Sequence, residues 1–296
     1  MRTAIVGTAI WGLCSVALAA PPKSKLDPAQ IEKLTGATGQ LNEKEAVFKV
    51  SVARTDLKVT VGRVKMTPPL GLTSWAAFQE VHGKTMVMGD MVMTEEQVNP
   101  VMSAALAAGL EVTALHNHFF GDTPKIMFMH IAGLGDQDKL AAAVGKVLTA
   151  IRDTSGGRAS GLPSADIDPA KSSLDTSKID AVLGVKGELA KGVYKVVIGR
   201  TTKMHAAEIG NTMGVNTWAA FAGSDAQAVV DGDFAMTEGE LQGVLKALRG
   251  AGLSIVAIHN HMTMETPRIV FLHYWGIGGA ADLAKGVKAA LDTQKR

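Results

Sequence analysis

The sequence is poor in cysteine, in aromatic residues and in net charge. Its one cysteine, Cys14, lies in an apolar N-terminal stretch, and 5% of the 296 residues are aromatic. A lone cysteine forms no disulfide within the chain. If this stretch is removed, the remaining chain has no cysteine, which excludes thiolate chemistry. Charged residues make up 20% of the chain, with a formal net charge of +2. Without a basic cluster or aromatic stacking platforms, a nucleic-acid-binding protein is not indicated.

The N-terminal stretch predicts a secretory signal peptide over residues 1–19. A basic residue precedes the apolar run Ala4–Leu18, and small residues favour cleavage between Ala19 and Ala20. The alternative is a retained membrane anchor, for which the apolar run is short. Cys14 lacks the preceding small residue that lipidation needs. We therefore expect an exported protein, periplasmic or extracellular, with no stable membrane span after cleavage.

The chain contains an internal duplication. The segment from Gly71 aligns with the segment from Gly214 at one constant offset, without a gap. The matched stretches are GLTSWAAF with GVNTWAAF, GDMVMTEEQ with GDFAMTEGE, and AGLEVTALHNH with AGLSIVAIHNH. The period is too long for a solenoid and indicates two similar domains, or two halves about a pseudo-twofold axis. We predict a first repeat over 27–154, a linker rich in Gly, Ser, Pro and Ala over 155–174, and a second repeat over 175–294.

Each repeat has the pattern of an α+β fold. Alternating apolar residues predict strands, and amphipathic segments predict helices, in the order strands, helix, two strands, helix. Thr94 with Gln97, and Thr237 with Glu240, have the capping-box spacing that begins a helix. Pro100 should bend the first of these helices or delay its start. The pattern predicts two tandem domains, each a mostly antiparallel sheet with helices on one face.

Six of the eight histidines lie in two matching stretches, HNHFFGDTPKIMFMH and HNHMTMETPRIVFLH. Alternation along a strand places His116 and His118 on one face. If the hairpin folds about residue 123, His130 lies opposite His116, and three imidazoles converge. The equivalent residues of the second repeat are His259, His261 and His273, with Glu265 in the turn.

Three imidazoles with a carboxylate in reach suit a divalent transition metal ion: zinc, copper, iron or manganese. Without a metal, clustered imidazoles repel one another when protonated and need hydrogen-bond partners when buried. The alternative is a hydrogen-bonded structural hairpin, copied with the rest of the domain. The predicted ligands are His116, His118, His130, His205, His259, His261, His273 and Glu265.

The second repeat is the stronger candidate for an active centre. It has Glu265 where the first repeat has the shorter Asp122, and Tyr274 and Trp275 follow its last histidine. It also contains His205, which has no counterpart in the first repeat. We predict Glu265 as a metal ligand or a catalytic base, and His205 as an additional imidazole.

Two further pairs of matched residues carry charge. Arg54 and Arg200 are candidates for binding an anionic ligand, although surface or strand-pairing roles are the default for such residues. Asp90 and Asp233 each follow a glycine and offer an extra ligand or a general base. For these two aspartates a role in a turn is the favoured interpretation.

The stretches NTWAAFAGSDAQAVVDGDFAM and IVAIHNHMTMETPRIVFLHYWGIG resemble the LppY/LpqO family over nearly all of the chain after the signal peptide. The resemblance implies an exported bacterial protein with a duplicated domain of unknown function. Some relatives look like lipoproteins, and Cys14 departs from that pattern. The spacing from His259 to Glu265 is also similar to half of a cupin metal motif, but only in ligand spacing.

These observations lead to one main hypothesis and two alternatives. The main hypothesis is an exported protein that binds a transition metal ion through its histidine hairpins, with enzyme activity undecided. The first alternative is a non-catalytic envelope module that binds a small polar or anionic ligand in the cleft between the two halves, with Arg54, Arg200 and the histidines as hydrogen-bond donors. The second alternative is a structural duplicated domain.

Overall fold

The computed structural model of the chain describes residues 25–159 and 161–294. The predicted signal peptide, residues 1–19, lies outside the described residues. Within those two ranges, no helix is both long enough and apolar enough to cross a membrane.

The first repeat begins with a short helix and continues as strands, helix, strands and helix. Its elements are α1 (Pro28–Thr35), β1 (Gly39–Asn42), β2 (Val47–Ala53), β3 (Thr60–Val61), β4 (Val64–Lys65), β5 (Thr73–Val81), β6 (Lys84–Thr94), α2 (Glu95–Ala107), β7 (Glu111–His116), β8 (Asp122–Thr123), β9 (Ile126–Gly135) and α3 (Gln137–Thr154). This order contains the predicted pattern, together with α1 and four short strands, β1, β3, β4 and β8, that the sequence did not predict.

The second repeat follows the same plan. Its elements are α4 (Thr176–Leu183), β10 (Glu188–Ala190), β11 (Val193–Gly199), β12 (Thr202–Met204), β13 (Ala207–Ile209), β14 (Asn216–Gly223), β15 (Ala228–Thr237), α5 (Leu241–Gly250), β16 (Ser254–His259), β17 (Ile269–Gly278) and α6 (Ala280–Leu291). The described part of the predicted linker, 155–174, is mostly turns and irregular chain, with a 3-10 turn at Pro169–Lys171.

The two repeats share one large antiparallel sheet. In the described ranges it has 12 strands in the order β1-β2-β5-β6-β9-β7-β16-β17-β15-β14-β11-β10. The repeats meet where β7 pairs with β16, with Leu115 opposite Ile258. The α+β class and the duplication are therefore confirmed, and the halves are joined through hydrogen-bonded backbone. The placement of all helices on one face stays a prediction.

Matched side chains hold the two halves together on either side of this seam. The side-chain oxygen of Asn99 in α2 accepts a hydrogen bond from the Ile255 amide, at 3.1 Å. Its equivalent in the second repeat, Gln242, accepts from the Val112 amide at 3.0 Å and donates to the Val112 carbonyl at 2.8 Å. Reciprocal contacts between equivalent residues are the signature of a pseudo-twofold axis. They support the interpretation of two halves about such an axis.

The helices begin where the sequence indicates. Both capping boxes form, between Thr94 and Gln97 and between Thr237 and Glu240. Each box provides partners for backbone amides that a helix leaves unpaired at its start. Helix α2 begins at Glu95, directly after the N-cap residue Thr94, so Pro100 lies inside the helix and does not delay its start.

Gly232 allows Tyr274 to pack in the core. The two residues are opposite each other in β15 and β17, and the buried Tyr274 donates to the Trp218 carbonyl at 3.1 Å. A Cβ atom at Gly232 would lie 2.2 Å from Tyr274 Oη and 2.5 Å from the Trp218 oxygen. Tyr274 is therefore a core residue, and the glycine before Asp233 is required by this close approach.

We expect Gly232→Ala to destabilise the protein by about 1–3 kcal/mol, because the methyl group overpacks the strand pair. Urea unfolding monitored by circular dichroism measures the change. Gly250→Ala is the matched control, since Gly250 ends α5 and has no atom within 4 Å of an added Cβ. The control should be neutral or stabilising by up to about 1 kcal/mol. Equal destabilisation by both substitutions would contradict the packing argument.

Candidate metal centre

The first histidine hairpin has a different register from the predicted one. His116 lies opposite Phe128, and His130 lies opposite Ala114, after an irregularity between Val112 and Ala114. His116 and His130 are thus offset along the strands instead of directly opposite. The offset is two residues, and side chains alternate with period two, so both imidazoles still project from the same face. The predicted convergence survives the change of register.

The first cluster, defined as His116, His118 and His130, is an aromatic stack. The ring centroids of His116 lie 5.2 Å from those of His118 and of His130. The ring of His118 stacks on Phe128 at 3.3 Å. Burial lowers the pKa of His116 and of His118, with charge repulsion from His130 adding to both shifts. The buried Asp90 of β6 lies opposite His130 in the sheet.

The second cluster, defined as His259, His261 and His273, brings its ligand atoms closer together. The Nε2 atoms of His259 and His261 are 3.2 Å apart. His261 Nε2 is also 3.2 Å from Oδ2 of Asp233 in β15. One ligand atom from each of Asp233, His259 and His261 lies within 4.8 Å of the other two. The ring of His273 stacks on His259 at 4.6 Å, and His273 lies opposite Asp233 in the sheet.

A backbone carbonyl fixes the orientation of the central imidazole. His261 Nδ1 lies 3.2 Å from the carbonyl oxygen of Gly214. A neutral ring that donates through Nδ1 presents a lone pair at Nε2. That lone pair faces a carboxylate oxygen of Asp233, which is also an acceptor. Two acceptors at 3.2 Å require a proton or a cation between them.

Two of the three separations among these ligand atoms match a tetrahedral metal site. With metal–ligand bonds of about 2.0–2.1 Å, the ligand atoms of a tetrahedron are separated by about 3.3 Å. Both contacts of His261 Nε2, to His259 and to Asp233, measure 3.2 Å. Two imidazole nitrogens and one carboxylate oxygen would occupy three corners and leave the fourth for water or a substrate.

Unpartnered polar atoms occur in both repeats at this place. Among the residues that the structure describes, the buried side-chain polar atoms without a hydrogen-bond partner are Oδ1 of Asp90, Oδ1 of Asp233 and Nδ1 of His259. The two aspartates are equivalent in the repeats, and Asp233 is 2% exposed. A buried polar group without a partner costs about 1–3 kcal/mol. A cost repeated at equivalent positions indicates a group that these atoms are kept to bind.

The pKa values of the second cluster favour metal binding near neutral pH. Burial raises the pKa of Asp233 to about 6, although His273 and His261 oppose the shift. Burial, with repulsion from His273 and His261, lowers the pKa of His259 to about 4. Above pH 6 the carboxylate is therefore mostly ionised and the His259 imidazole neutral. These are the forms that coordinate a metal.

The interpretation of Asp90 and Asp233 as turn residues is wrong. Both lie within long strands, β6 and β15, and their carboxylates are buried beside the histidines. Their distance in sequence from the histidines concealed this placement. The available signal was the retention of Asp after Gly in both repeats, which a turn explained equally well.

The turn carboxylates hold the backbone of their own hairpins. Glu265 Oε1 accepts a hydrogen bond from the Ile269 amide at 3.1 Å, and Asp122 Oδ2 accepts from the Ile126 amide at 2.7 Å. Both contacts span four residues at equivalent positions. Glu265 is not among the three residues whose ligand atoms lie within 4.8 Å of one another. Its roles as a ligand and as a base stay predictions, and its observed contact is structural.

His205 and the aromatic residues after His273 lie apart from the cluster. His205 is exposed in the turn between β12 and β13, with φ 49°. In the described part of the chain, no ring contact joins it to the second cluster. Trp275 is 38% exposed, and Tyr274 is buried in the core. His205 as an additional ligand stays a prediction.

Both arginines are engaged within the protein. Arg54 is 3% exposed, donates to both carboxylate oxygens of Asp56 at 2.9 Å, and donates to Gln97 Oε1 at 3.2 Å. Arg200 donates to Glu240 at 2.6 Å. Since Gln97 and Glu240 belong to the capping boxes, each arginine ties a strand end to a helix start. Ligand binding by Arg54 and Arg200 stays a prediction.

We expect Asp233→Asn to stabilise the metal-free protein at alkaline pH. Because burial raises the pKa of Asp233 in the folded state to about 6, from an ordinary value of 3.8, ionised Asp233 costs stability that is regained as the pH falls. The gain from the substitution should be near zero at pH 4 and about 1–2 kcal/mol at pH 8, discounted for partial solvation. Urea unfolding with a chelator present measures it. Asp153→Asn, at an exposed position, should show no such trend, and a trend-free Asp233 variant would refute the assignment.

Comparison with known proteins identifies the repeated unit. A family model described as "Domain of Unknown Function (DUF1259)" matches residues 29–150 and 177–293. No match was found among curated proteins. One solved structure, a trimeric bacterial microcompartment shell protein, PduB, is 12% identical over 86% of this chain and 89% of that chain, with a TM-score of 0.20 that carries no argument. The LppY/LpqO name stays a prediction. With both repeats matched, the chain belongs to the DUF1259 family and contains two copies of its domain.

Proposed function

We propose that this chain is an exported protein that binds a divalent transition metal ion in its second repeat, through Asp233, His259 and His261. The observation that carries the proposal is the convergence of three acceptor atoms, with two separations of 3.2 Å, around one point. Export rests on the signal peptide predicted for residues 1–19.

The chemistry of the donor set fits zinc, copper, iron or manganese. Two imidazoles and one carboxylate are the mixed nitrogen and oxygen ligands that such ions accept. The Gly214 carbonyl supports the His261 ring from behind, as outer-shell partners of metal ligands do. Asp233 and His259 lie on strands β15 and β16 of the large sheet, which hold their side chains on a rigid backbone. His261 follows the end of β16 by two residues, and its ring contacts the Gly214 carbonyl.

The same geometry permits catalysis. A metal ion bound here would supply a polarised oxygen or an activated water at the open fourth position. His273 stacks on His259 and lies opposite Asp233, so it is the side chain that we assign to accept a proton beside that position. The substrate and the reaction are left open, and the enzyme assignment with them.

We assign the first cluster a weaker affinity for metal. Asp90, like Asp233, has an unpartnered carboxylate oxygen next to a histidine. However, the group of closely spaced ligand atoms found in the described residues belongs to the second repeat alone. The equivalent ring pairs have similar centroid separations, 5.2 Å for His116 with His118 and 5.1 Å for His259 with His261, but the first pair is closer to parallel, at 28° against 44°.

The alternative of an anion-binding envelope module has less support. Its proposed donors, Arg54 and Arg200, already donate to Asp56 and Glu240. Releasing Arg200 to a ligand would break its ion pair with the buried Glu240, which is costly. Arg54 is itself buried, at 3% exposure, and so is shielded from a ligand.

We expect the protein, purified without a chelator or a polyhistidine tag, to bind about one equivalent of a transition metal with high affinity. Asp233→Asn and His261→Gln should each weaken binding at least about tenfold, because each removes one of three ligands. Elemental analysis and titration with zinc, copper, iron and manganese measure this.

Glu265→Gln is the control that separates the two carboxylates. Its amide oxygen can still accept the bond from Ile269, so the turn should persist and metal binding should remain. Loss of metal in the Glu265 variant, with retention in the Asp233 variant, would transfer the ligand role to Glu265. Failure of the unmodified protein to take up any of the four metals would overturn the proposed function.

A further inference from the structure

Ala257 stands between the two histidine clusters at the seam of the sheet. It directly precedes Ile258, which lies opposite Leu115 of β7 in an antiparallel pair. This register brings His116, the residue after Leu115, opposite Ala257. On the other side, Ala257 lies opposite His273 of β17. The row across these three strands is therefore an imidazole, a methyl group and an imidazole.

Ala114 has the matching position in the first repeat. It lies opposite His130 of β9, and the same register brings His259 of β16 opposite it. Adjacent strands are about 4.8 Å apart, so the two histidines of each row are roughly 10 Å apart at the backbone. Opposed residues project from the same face, and only an alanine methyl group fills the interval. A cleft therefore lies between the clusters, with histidine walls and an alanine floor.

One cavity opens onto both clusters. It has a volume of about 630 Å³, and its lining includes His116, Ala257 and His259 from the seam together with Phe119 and Phe120 from the first hairpin. Small-molecule sites in proteins have volumes of roughly 300–1,000 Å³. Since His259 is one of the three proposed metal ligands, a molecule in this cavity would lie beside the metal centre of the second repeat and a histidine of the first.

The outer wall of the cavity is aromatic and open to solvent. Phe120 is 94% exposed, although a phenylalanine ring is usually buried. Phe119 follows the same hairpin, with its ring edge-on to those of His118 and Phe128 at 6.0 and 6.1 Å. The second repeat has Thr263 in the place of Phe120. Exposed apolar side chains at the mouth of a cavity are typical of a site for a ligand with an apolar body.

The charged side chains of the lining already have partners. Lys125 Nζ lies 3.5 Å from Glu95 Oε1, and Asp122 accepts a hydrogen bond from the Ile126 amide at 2.7 Å. A divalent ion coordinated by the single carboxylate of Asp233 would keep part of its positive charge. An anionic oxygen in the cavity would neutralise that charge, and carboxylate oxygen is a ligand that such ions accept.

We propose that the cavity binds a small aromatic carboxylate, with its ring against Phe119 and Phe120 and its carboxylate directed to the metal centre beside His259. The inference rests on the proposed function and names the ligand class of the same site. Phenylalanine and imidazole rings favour stacked or edge-on contacts with an aromatic ring. The first repeat thus provides the aromatic wall, and the second repeat provides the metal ion.

The test measures binding of para-fluorobenzoate to the zinc-loaded full chain, after removal of the signal peptide, by fluorine NMR. The unlabelled competitors are benzoate, acetate, which lacks the ring, and benzamide, which lacks the anionic oxygen. Phe120→Ser removes the exposed ring, and Ala257→Leu fills the floor of the cleft. Leu189→Ser is the matched control, because Leu189 is 64% exposed in β10 at the far edge of the sheet. Zinc content and thermal melting are measured for each variant.

We expect Phe120→Ser to weaken fluorobenzoate binding about three- to tenfold, and Ala257→Leu to weaken it at least about tenfold. Zinc should be retained in both, and Leu189→Ser should change neither zinc nor fluorobenzoate binding. Benzoate should compete with the probe at least about tenfold better than acetate or benzamide. If Ala257→Leu loses zinc or fails to fold, Phe120→Ser decides the outcome, because its side chain is exposed.

Three results would overturn this inference and leave the metal site intact. They are failure of the zinc-loaded parent to bind the probe, unchanged probe binding in Phe120→Ser, and equal competition by benzoate and acetate or by benzoate and benzamide. Failure of the parent to take up zinc, copper, iron or manganese would overturn the proposed function as well.

Discussion

The antiparallel register between β15 and β17 is the constraint on which the rest of the site depends. It places Asp233 opposite His273 and Phe234 opposite Leu272. Because successive side chains point to opposite faces, one register sends the apolar pair into the main core and the polar pair to the other side. A slip by one residue would bury the wrong pair. Packing of the apolar core therefore also fixes the position of the polar cluster.

The buried carboxylate of Asp233 lowers the stability of the folded protein and is also the proposed metal ligand. Asp233 has one oxygen without a partner and a pKa raised by burial, so the folded protein is under electrostatic strain at neutral pH. A ligand that binds only the folded state stabilises it by a free energy that grows with the logarithm of the ratio of ligand concentration to dissociation constant. A cation at this point would satisfy Asp233 and His261 together. These features support the proposed cation site over a purely hydrogen-bonded hairpin.

The local parts of this structure could be predicted from the sequence, and the non-local parts could not. The capping boxes at Thr94 and Thr237 and the alternation around His259 depend on neighbouring residues, so the helix starts and the shared face of the histidines followed. The placement of Asp233 depends on β15 pairing with β17 across an intervening helix and strand. Glu265, nearer in sequence to His261, appeared the better ligand, but its carboxylate bonds to a backbone amide. Proximity in the chain favoured Glu265 and gave no signal for Asp233, and the ligand role of Glu265 stays a prediction.

Duplication gives the chain a second histidine cluster and also a second half-sheet that pairs with the first. Strand β16 would be an open edge of the second half, and β7 of the first half pairs with it. The reciprocal bonds of Asn99 and Gln242 hold this pairing from both sides. Each half therefore covers an open sheet edge of the other, whatever it binds. The shared packing leaves one half free to differ from the other around its histidines, as Asp122 and Glu265 do, while the sheet, the capping boxes and the central aspartates are kept. The two repeats can therefore differ in the chemistry of their histidine clusters while they share one pseudo-symmetric fold.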